Sequence, residues 1–354
     1  MNPNIAHIVY ASDDRFAEIL GVSLVSLYEN SSDMEEIIIY ILDSGIKVKN
    51  KAWIEAISRR YERTMPTWIK AQDISKVLSM EVALDRGSLS QYARLFISSN
   101  LPLELDRVLY LDCDIVINKS IRELWNLDFK GKIIGALMDA FSPQYRANIN
   151  LKPNDIMFNS GVMLIDLKCW REQEVEGRLL KFIRDKHGKI QQGDQGALNA
   201  VLSHDTYCFE PRYNSLTIYY DFNYDEMMAY RKPPQGFYRQ QEIKRAIEDP
   251  SIIHFTTSFL SKRPWVIGCQ HRYVELWLKY KALSPWKSSP LWQDTTGKGK
   301  LWAIEILKKM PRRFMLRLAG IAQAYGRPWR NRLRANAKKL WPWSRFACNR
   351  FTNS

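Results

Sequence analysis

A mixed α/β fold, in which helices cover a mainly parallel or mixed sheet, is what these 354 residues predict, and three observations carry that expectation. Short apolar runs bounded by turn residues alternate with segments whose apolar residues recur at helical spacing. The chain opens on one such pair, a strand followed by an acidic turn and a helix. Further on, the apolar run Arg107-Val108-Leu109-Tyr110-Leu111 leads into Asp112-Cys113-Asp114, which puts acids at the carboxyl end of a strand, where α/β sheets bind ligands.

Taken in order, Ile5 to Ala11 reads as a short buried strand, and Ser12 is a fitting N-cap for a helix after it. Phe16, Leu20, Leu24, Leu27 and Tyr28 then fall on one helical stripe until Asn30-Ser31-Ser32 stops it. Ile37 to Leu42 is a second strand, Asn50 to Tyr61 a helix and Trp68 to Ile74 another strand. Apolar runs at Lys132 to Met138, Val162 to Leu167 and Ile252 to Phe255 continue the strand pattern, with helical patterns near Trp170 to Lys186, Gly196 to Leu202 and Tyr273 to Leu283. Ser284-Pro285-Trp286-Lys287-Ser288-Ser289-Pro290 breaks the periodicity. The expected organisation is a body over 1–283, a linker over 284–296 and a tail over 297–354.

A chain of this length with 46% hydrophobic residues can bury a substantial core. It contains no apolar run of the roughly 18 residues that a spanning helix needs, and its start lacks the basic-then-apolar pattern of a secretory signal. A cytoplasmic protein that does not span a membrane is expected. The five cysteines are scattered without a C-x-x-C pair, which argues against both a disulfide framework and a zinc site.

Net charge is +14, and all of it sits in the tail: Gly297 to Ser354 holds 15 Lys and Arg against the single acid Glu305, leaving 37 residues of each sign before it. Phe314, Leu318, Ile321 and Tyr325 lie at helical spacing, as do Trp329, Leu333, Ala337 and Leu340 or Trp341. Cationic, tryptophan-bearing helices suit an anionic bilayer, each Lys or Arg near it adding on the order of 1 kcal/mol. A solvated helical tail packed on the body would show the same pattern. Nucleic acid is disfavoured, because no recognised binding module accompanies the charge.

Asp112 and Asp114, at i and i+2 of an extended chain, share one face. Two converging carboxylates suit a hard divalent cation and the diphosphate it would bind, although an acidic turn would look the same from the triplet alone. Context decides between them. The framing segments are Ile8-Val9-Tyr10-Ala11-Ser12-Asp13-Asp14, Gln91-Tyr92-Ala93-Arg94-Leu95, Phe158-Asn159-Ser160-Gly161-Val162 and Gly193-Asp194-Gln195-Gly196-Ala197-Leu198-Asn199, with His254 and Arg263-Pro264-Trp265 downstream. In this order the set resembles the family-eight retaining glycosyltransferases, which include bacterial lipopolysaccharide galactosyl- and glucosyltransferases and glycogenin. The resemblance covers about Ile5 to Trp286 and extends in character to the basic, aromatic tail.

The resemblance implies a GT-A fold, a Rossmann-like nucleotide-sugar-binding mixed sheet flanked by helices, with a basic helical C-terminal tail. It implies Mn²⁺ or Mg²⁺ held by Asp112, Asp114 and His254, and a UDP-hexose donor, galactose or glucose. Ala11 and Asp13 match positions that hold uridine, Arg94 the arginine that reaches the donor sugar, and Asn159, Asp194 and Gln195 residues that bind sugar hydroxyls. Asp139 matches the acidic residue at the acceptor side. In the family a glycine and then Lys-Pro-Trp follow the histidine closely. Here the loop from His254 to Trp265 is longer, and either Lys262 or Arg263 is expected to reach the diphosphate. Arg15 and Gly196 also depart from the family pattern.

The reaction implied is transfer of a hexose, with retention, to a saccharide or glycolipid acceptor, by a protein peripheral on the inner face of the plasma membrane. Gln195 sits where a nucleophile on the reactive face would be, but an amide is a poor nucleophile. Same-face substitution is therefore expected, with Gln195 as an electrostatic stabiliser and Asp139 and Asp194 completing the catalytic set. A glycogenin-like self-glycosylating initiator and a non-catalytic membrane or nucleic-acid adaptor on a degenerate transferase body are the alternative readings.

Overall fold

The structure, a computed structural model, describes residues 2–83, 89–297, 299, 302, 305, 306 and 309–340. Its elements run β1 (Ile5–Ser12), α1 (Ala17–Asn30), β2 (Glu36–Asp43), α2 (Val48–Arg60), β3 (Thr67–Lys70), α3 (Ile74–Leu78) and, after a 3₁₀ helix Leu89–Phe96, α4 (Ile97–Asn100). Next come β4 (Arg107–Leu111), β5 (Ile115–Ile117), α5 (Arg122–Trp125), β6 (Ile134–Met138), α6 (Pro143–Ala147), β7 (Phe158–Asp166), α7 (Leu167–Glu172), α8 (Val175–Asp185) and α9 (Gly193–Leu202). They are followed by β8 (Thr206–Cys208), β9 (Ser215–Leu216), α10 (Thr217–Asp221), α11 (Tyr224–Arg231), α12 (Gln240–Glu248), β10 (Ile252–His254) and α13 (Val274–Leu283).

Seven strands form one mixed sheet in the order β3-β2-β1-β4-β7-β6-β8. β1, β2, β3 and β4 pair in parallel, whereas β7 runs antiparallel to both β4 and β6. The central strands are buried along their length, as continuous apolar runs must be when helices cover both faces. One hydrophobic cluster lies on the α1 side of the sheet and a second on the side of α8 and α9. A small sheet, β5-β10-β9, stands beside the large one, with β10 antiparallel to β5 so that His254 lies opposite Ile115. The apolar run beyond the acidic pair thus changes sheets, and that change brings His254 to the acids.

The expected strand Trp68 to Ile74 ends at Lys70, because Asp73 caps α3 by accepting from the Ser75 amide at 2.9 Å. The expected helix Trp170 to Lys186 is two helices, broken where Glu174 takes a left-handed conformation. The strand expected at Val162 begins four residues earlier, at Phe158. No expectation covered β8, β9, α10, α11 or α12.

The stretch 284–296 lies along the body. Trp286 is buried against Trp53, 5.1 Å between ring centroids, and closes over Gly21, where any Cβ would lie 2.4 Å from its ring. Trp292 receives a hydrogen bond from the Ile267 amide at 3.0 Å and donates its own to Trp265 at 2.7 Å. Further on, a helix Arg312–Ile321, a π turn Ala322–Gly326 and a helix Arg327–Leu340 follow one another. Met315, Leu316, Gly320 and Ala324 are buried, Arg312 pairs with Glu226, and Ser142 and Tyr145 donate to the Ala324 and Gln323 carbonyls at 2.6 and 3.1 Å. Phe314, Leu318, Ile321, Tyr325, Trp329 and Leu333 are exposed. Ala337 and Leu340 lie outside the described side chains, and Trp341 and Trp343 outside the described residues. Among the described residues no helix is long and apolar enough to cross a membrane.

Candidate active site

Asp112 is the first residue past β4, and its amide donates to the Gly161 carbonyl of β7 at 2.7 Å. The Phe255 amide donates to the Asp114 carbonyl at 2.9 Å, locking the end of β10 to the acidic turn. Asp112, Asp114 and His254 consequently present one ligand atom each within 4.8 Å of one another. The His254 Nε2 lies 3.1 Å from Asp114 Oδ1 and 3.8 Å from Asp112 Oδ2. Gly161 faces this cluster, and a Cβ there would meet His254 Cε1 at 2.2 Å and Asp112 Oδ2 at 2.9 Å.

A chain of amides sets the tautomer of His254. The Gly161 amide, which can only donate, bonds to Asn159 Oδ1 at 3.0 Å, so that atom is a carbonyl oxygen. Asn214 Nδ2 donates to the same oxygen at 3.0 Å, which turns Asn214 Oδ1 toward His254 Nδ1 at 2.9 Å. In the neutral imidazole the proton is then on Nδ1, and the Nε2 lone pair faces the carboxylates. With its proton on Nδ1, the imidazole turns a bare nitrogen toward two carboxylates, three donor atoms that a cation among them would satisfy together. The donor set, its orientation from behind by Asn214 and the space left by Gly161 all fit a divalent metal.

Two arginines flank the cluster. Arg94, on the 3₁₀ helix, reaches Asp112 Oδ1 at 2.8 Å and Asp194 Oδ2 at 3.0 Å, donates to the Ser160 carbonyl at 2.9 Å, and lies 4.5 Å above the Tyr110 ring. Burial opposes its charge, but Asp112, Tyr110 and Asp194 outweigh burial and hold the guanidinium well above its ordinary pKa. The Tyr110 hydroxyl, itself pushed far up by burial, donates to Asp112 Oδ1 at 3.0 Å. On the other side Arg263 Nη2 lies 3.2 Å from Asp114 Oδ2, with its guanidinium 5.2 Å from the Trp265 ring. Lys262 points away, to Asp294 Oδ2 at 3.0 Å and the Ile267 carbonyl at 3.3 Å.

The remaining residues expected at the site are gathered around this centre. Gln195 Oε1 accepts from the Ser160 amide at 3.3 Å and its hydroxyl at 3.4 Å, fixing the amide beside β7. Asp139, past the end of β6, is 5% exposed, accepts from Asn159 Nδ2 at 3.5 Å, and has its carboxyl pushed up by burial. Ala11, the last residue but one of β1, lies next to the acids, its carbonyl accepting from Cys113 Sγ at 3.3 Å. Asp13 accepts from the Phe16 amide at 3.2 Å and so caps the turn into α1. Sequence reasoning missed Asn214, Tyr110 and Gly161 as supporting groups. No local pattern marks Asn214, which lies 40 residues from the histidine it orients.

Comparison with known proteins identifies the fold and the family. The chain is 29% identical over 290 residues to general stress protein A of Bacillus subtilis, covering 80% of this chain and 96% of that protein. It is 24% identical to the lipopolysaccharide 1,2-glucosyltransferase of Escherichia coli K12, covering 79% of each. Among solved structures, the galactosyltransferase LgtC in complex with donor and acceptor sugar analogues superposes with a TM-score of 0.67 at 24% identity, over 79% of this chain and 96% of LgtC. That likeness identifies the large mixed sheet and its helices as the GT-A fold. The profile described as glycosyl transferase family 8 matches residues 7–266, which include the acidic pair, Arg94, the β7 and α9 segments and His254; the chain belongs to that family.

Proposed function

We propose that this glycosyltransferase moves a hexose, galactose or glucose, from a UDP-sugar to a saccharide or glycolipid acceptor, with retention and with help from Mn²⁺ or Mg²⁺. The observation that supports the reading best is the Asp112, Asp114 and His254 cluster with Nε2 turned inward by Asn214. A divalent cation held there would act as a Lewis acid on the leaving diphosphate.

Around it the residues divide the work. Arg263, rather than Lys262, is positioned to reach the diphosphate, because it already leans on Asp114 while Lys262 is tied to Asp294. Arg94, fixed by Asp112, Asp194 and Ser160, places its positive charge beside the donor sugar. Asp194 is thereby a positioning residue, its carboxylate paired with Arg94 and poorly placed to attack carbon. Gln195 offers an amide dipole beside Ser160 that stabilises an oxocarbenium-like transition state. Ala11 and Asp13 line the first βα turn for uridine, Asn159 links the donor side to Asp139, and Asp139 orients the acceptor. The bond from sugar C1 to UDP breaks while the acceptor oxygen bonds to C1 on the same face, and the acceptor proton passes to a phosphate oxygen of the departing UDP.

The exposed apolar stripe from Phe314 to Leu333, interleaved with Arg317, Arg327 and Arg330, supports peripheral docking on an anionic bilayer from the cytoplasmic side. UDP release from a panel of UDP-sugars, with Mn²⁺ and with EDTA, tests the donor and metal together. Asp114→Asn keeps the shape of the side chain and removes charge, and should lower turnover by at least ~100-fold, the loss of several kcal/mol of charge stabilisation. Turnover unaffected by EDTA or by that substitution would reject the metal assignment, and a β-linked product from an α-linked donor would reject retention.

A further inference from the structure

Beside Asp139 lies a guanidinium that two aromatic rings hold and whose charge acts on the Asp139 carboxyl. Arg231, the last residue of α11, rests with its guanidinium 5.2 Å from the Phe141 ring and 5.6 Å from the Tyr230 ring. It makes no hydrogen bond or ion pair with a described residue, and its Nε is fully buried without a partner. Phe141 follows Asp139 by two residues in the loop leaving β6. Two more orphaned groups line this region: the hydroxyl of Tyr219, a residue 2% exposed, and Nη2 of Arg146, which is fully buried. Arg146 is otherwise bound to the Asp155, Phe141 and Ser142 carbonyls, so its position is set by backbone.

Arg231 is half-buried, and a desolvated donor such as its Nε is costly to leave without a partner. The two rings position Arg231, whose guanidinium carries the planar fork of donors that grips an oxyanion through two parallel hydrogen bonds. The local charge points the same way. Burial pushes the Asp139 carboxyl up against the opposing charges of Arg231 and Arg146, Asp155 also acts on Arg146, and Lys232 over Tyr325 and the exposed Arg327 add positive charge at the rim. A neutral sugar would leave this excess unanswered.

We propose that Arg231 reads an oxyanion, a phosphate or a carboxylate, carried by the acceptor saccharide. The proposal rests on the transferase reading for its placement beside the acceptor, but its test does not need turnover. Titration calorimetry of the full-length protein at low salt would compare glucose 6-phosphate and glucuronate with glucose. The charged sugars should bind at least ten-fold more tightly than glucose, with Arg231→Gln removing the difference and Arg231→Lys, which keeps the charge without the fork, retaining part of it. Equal affinity for charged and neutral sugars, no saturable binding of either charged sugar, or an undiminished preference in Arg231→Gln would each overturn the proposal. Should Arg231→Gln fail to fold, an Arg231→Lys preference equal to that of the unaltered protein would also overturn it. Inorganic phosphate binding as tightly as glucose 6-phosphate would show that no saccharide is recognised, and would overturn it too. UDP-sugar hydrolysis by the unaltered protein, measured alongside, reports on the transferase reading separately.

Discussion

Asn214 decides whether His254 is a ligand or a bystander. Without its carbonyl oxygen the imidazole is free to place its proton on Nε2 and donate to Asp114, which closes the cluster to a cation. Asn214→Leu should therefore weaken Mn²⁺ binding by about 10- to 100-fold, the usual cost of losing such an orienting partner, read as a rightward shift in the Mn²⁺ dependence of UDP release. A metal dependence identical to that of the unaltered protein would show that the amide chain is only structural. Gln195→Ala carries a complementary expectation, because an amide that only stabilises charge can be removed without abolishing turnover. A complete loss with sugar trapped on a neighbouring side chain would instead indicate double displacement. At this scale the two acids, the histidine and Arg94 were legible because each stands beside an apolar run or in a recurring segment. Asn214 and Arg231 were not, since their roles come from tertiary neighbours: one from Asn159 and Gly161, the other from Phe141 and Tyr230.

Among the elements, the loop after β10 has a footing that can be tested by pH. Ser258 and Ser261 both bond to Asp221 at the end of α10, and Phe259 packs 5.5 Å from Tyr230 of α11. Under Phe255, at the start of the loop, lies His271, 3% exposed, its ring 4.9 Å from Phe255 and 5.0 Å from Tyr220. Burial lowers its pKa from 6.5 to about 4, so the folded protein keeps it neutral where the unfolded chain would take up a proton. Stability is full above pH 6.5 and falls as pH drops toward 4, because there the unfolded state binds more protons. At pH 5 the loss is on the order of 2 kcal/mol. Thermal unfolding from pH 7 to pH 5 should show this slope, reduced in His271→Phe; an equal slope in both would place the acid sensitivity elsewhere. The elements that periodicity revealed, among them β1, α1, β2, α2, β6, β7, α9, β10 and α13, are those whose apolar spacing dominates their sequence. β8, β9 and α10 to α12 escaped it because they are short, or because, like the two-residue β9, they exist only through pairing with β10.

For the whole molecule, charge and packing divide the tail into an inner and an outer face. Met315 and Leu316 on the inner face are each worth about 1.5–3 kcal/mol by burial, and Gly320 meets the Ala229 carbonyl so closely that a Cβ would lie 2.7 Å from it. Removing the segment from Gly297 onward would therefore expose α11 and disturb the wall that carries Arg231, so truncation confounds membrane docking with stability. Substitution of the outer face alone separates them. Phe314, Leu318, Ile321 and Trp329 are 53, 40, 54 and 63% exposed, and their replacement by serine touches little of the inner packing. The four-fold variant should unfold within a few degrees of the unaltered protein and hydrolyse UDP-sugar at a similar rate, yet sediment poorly with anionic liposomes. Binding of the unaltered protein should weaken as salt rises from 0.1 M toward about 1 M, since the screening length shortens from roughly 10 Å to 3 Å, while the apolar contribution persists. Co-sedimentation at both salts distinguishes the two terms: equal liposome binding by the variant and the unaltered protein would mean that the exposed stripe does not face a bilayer.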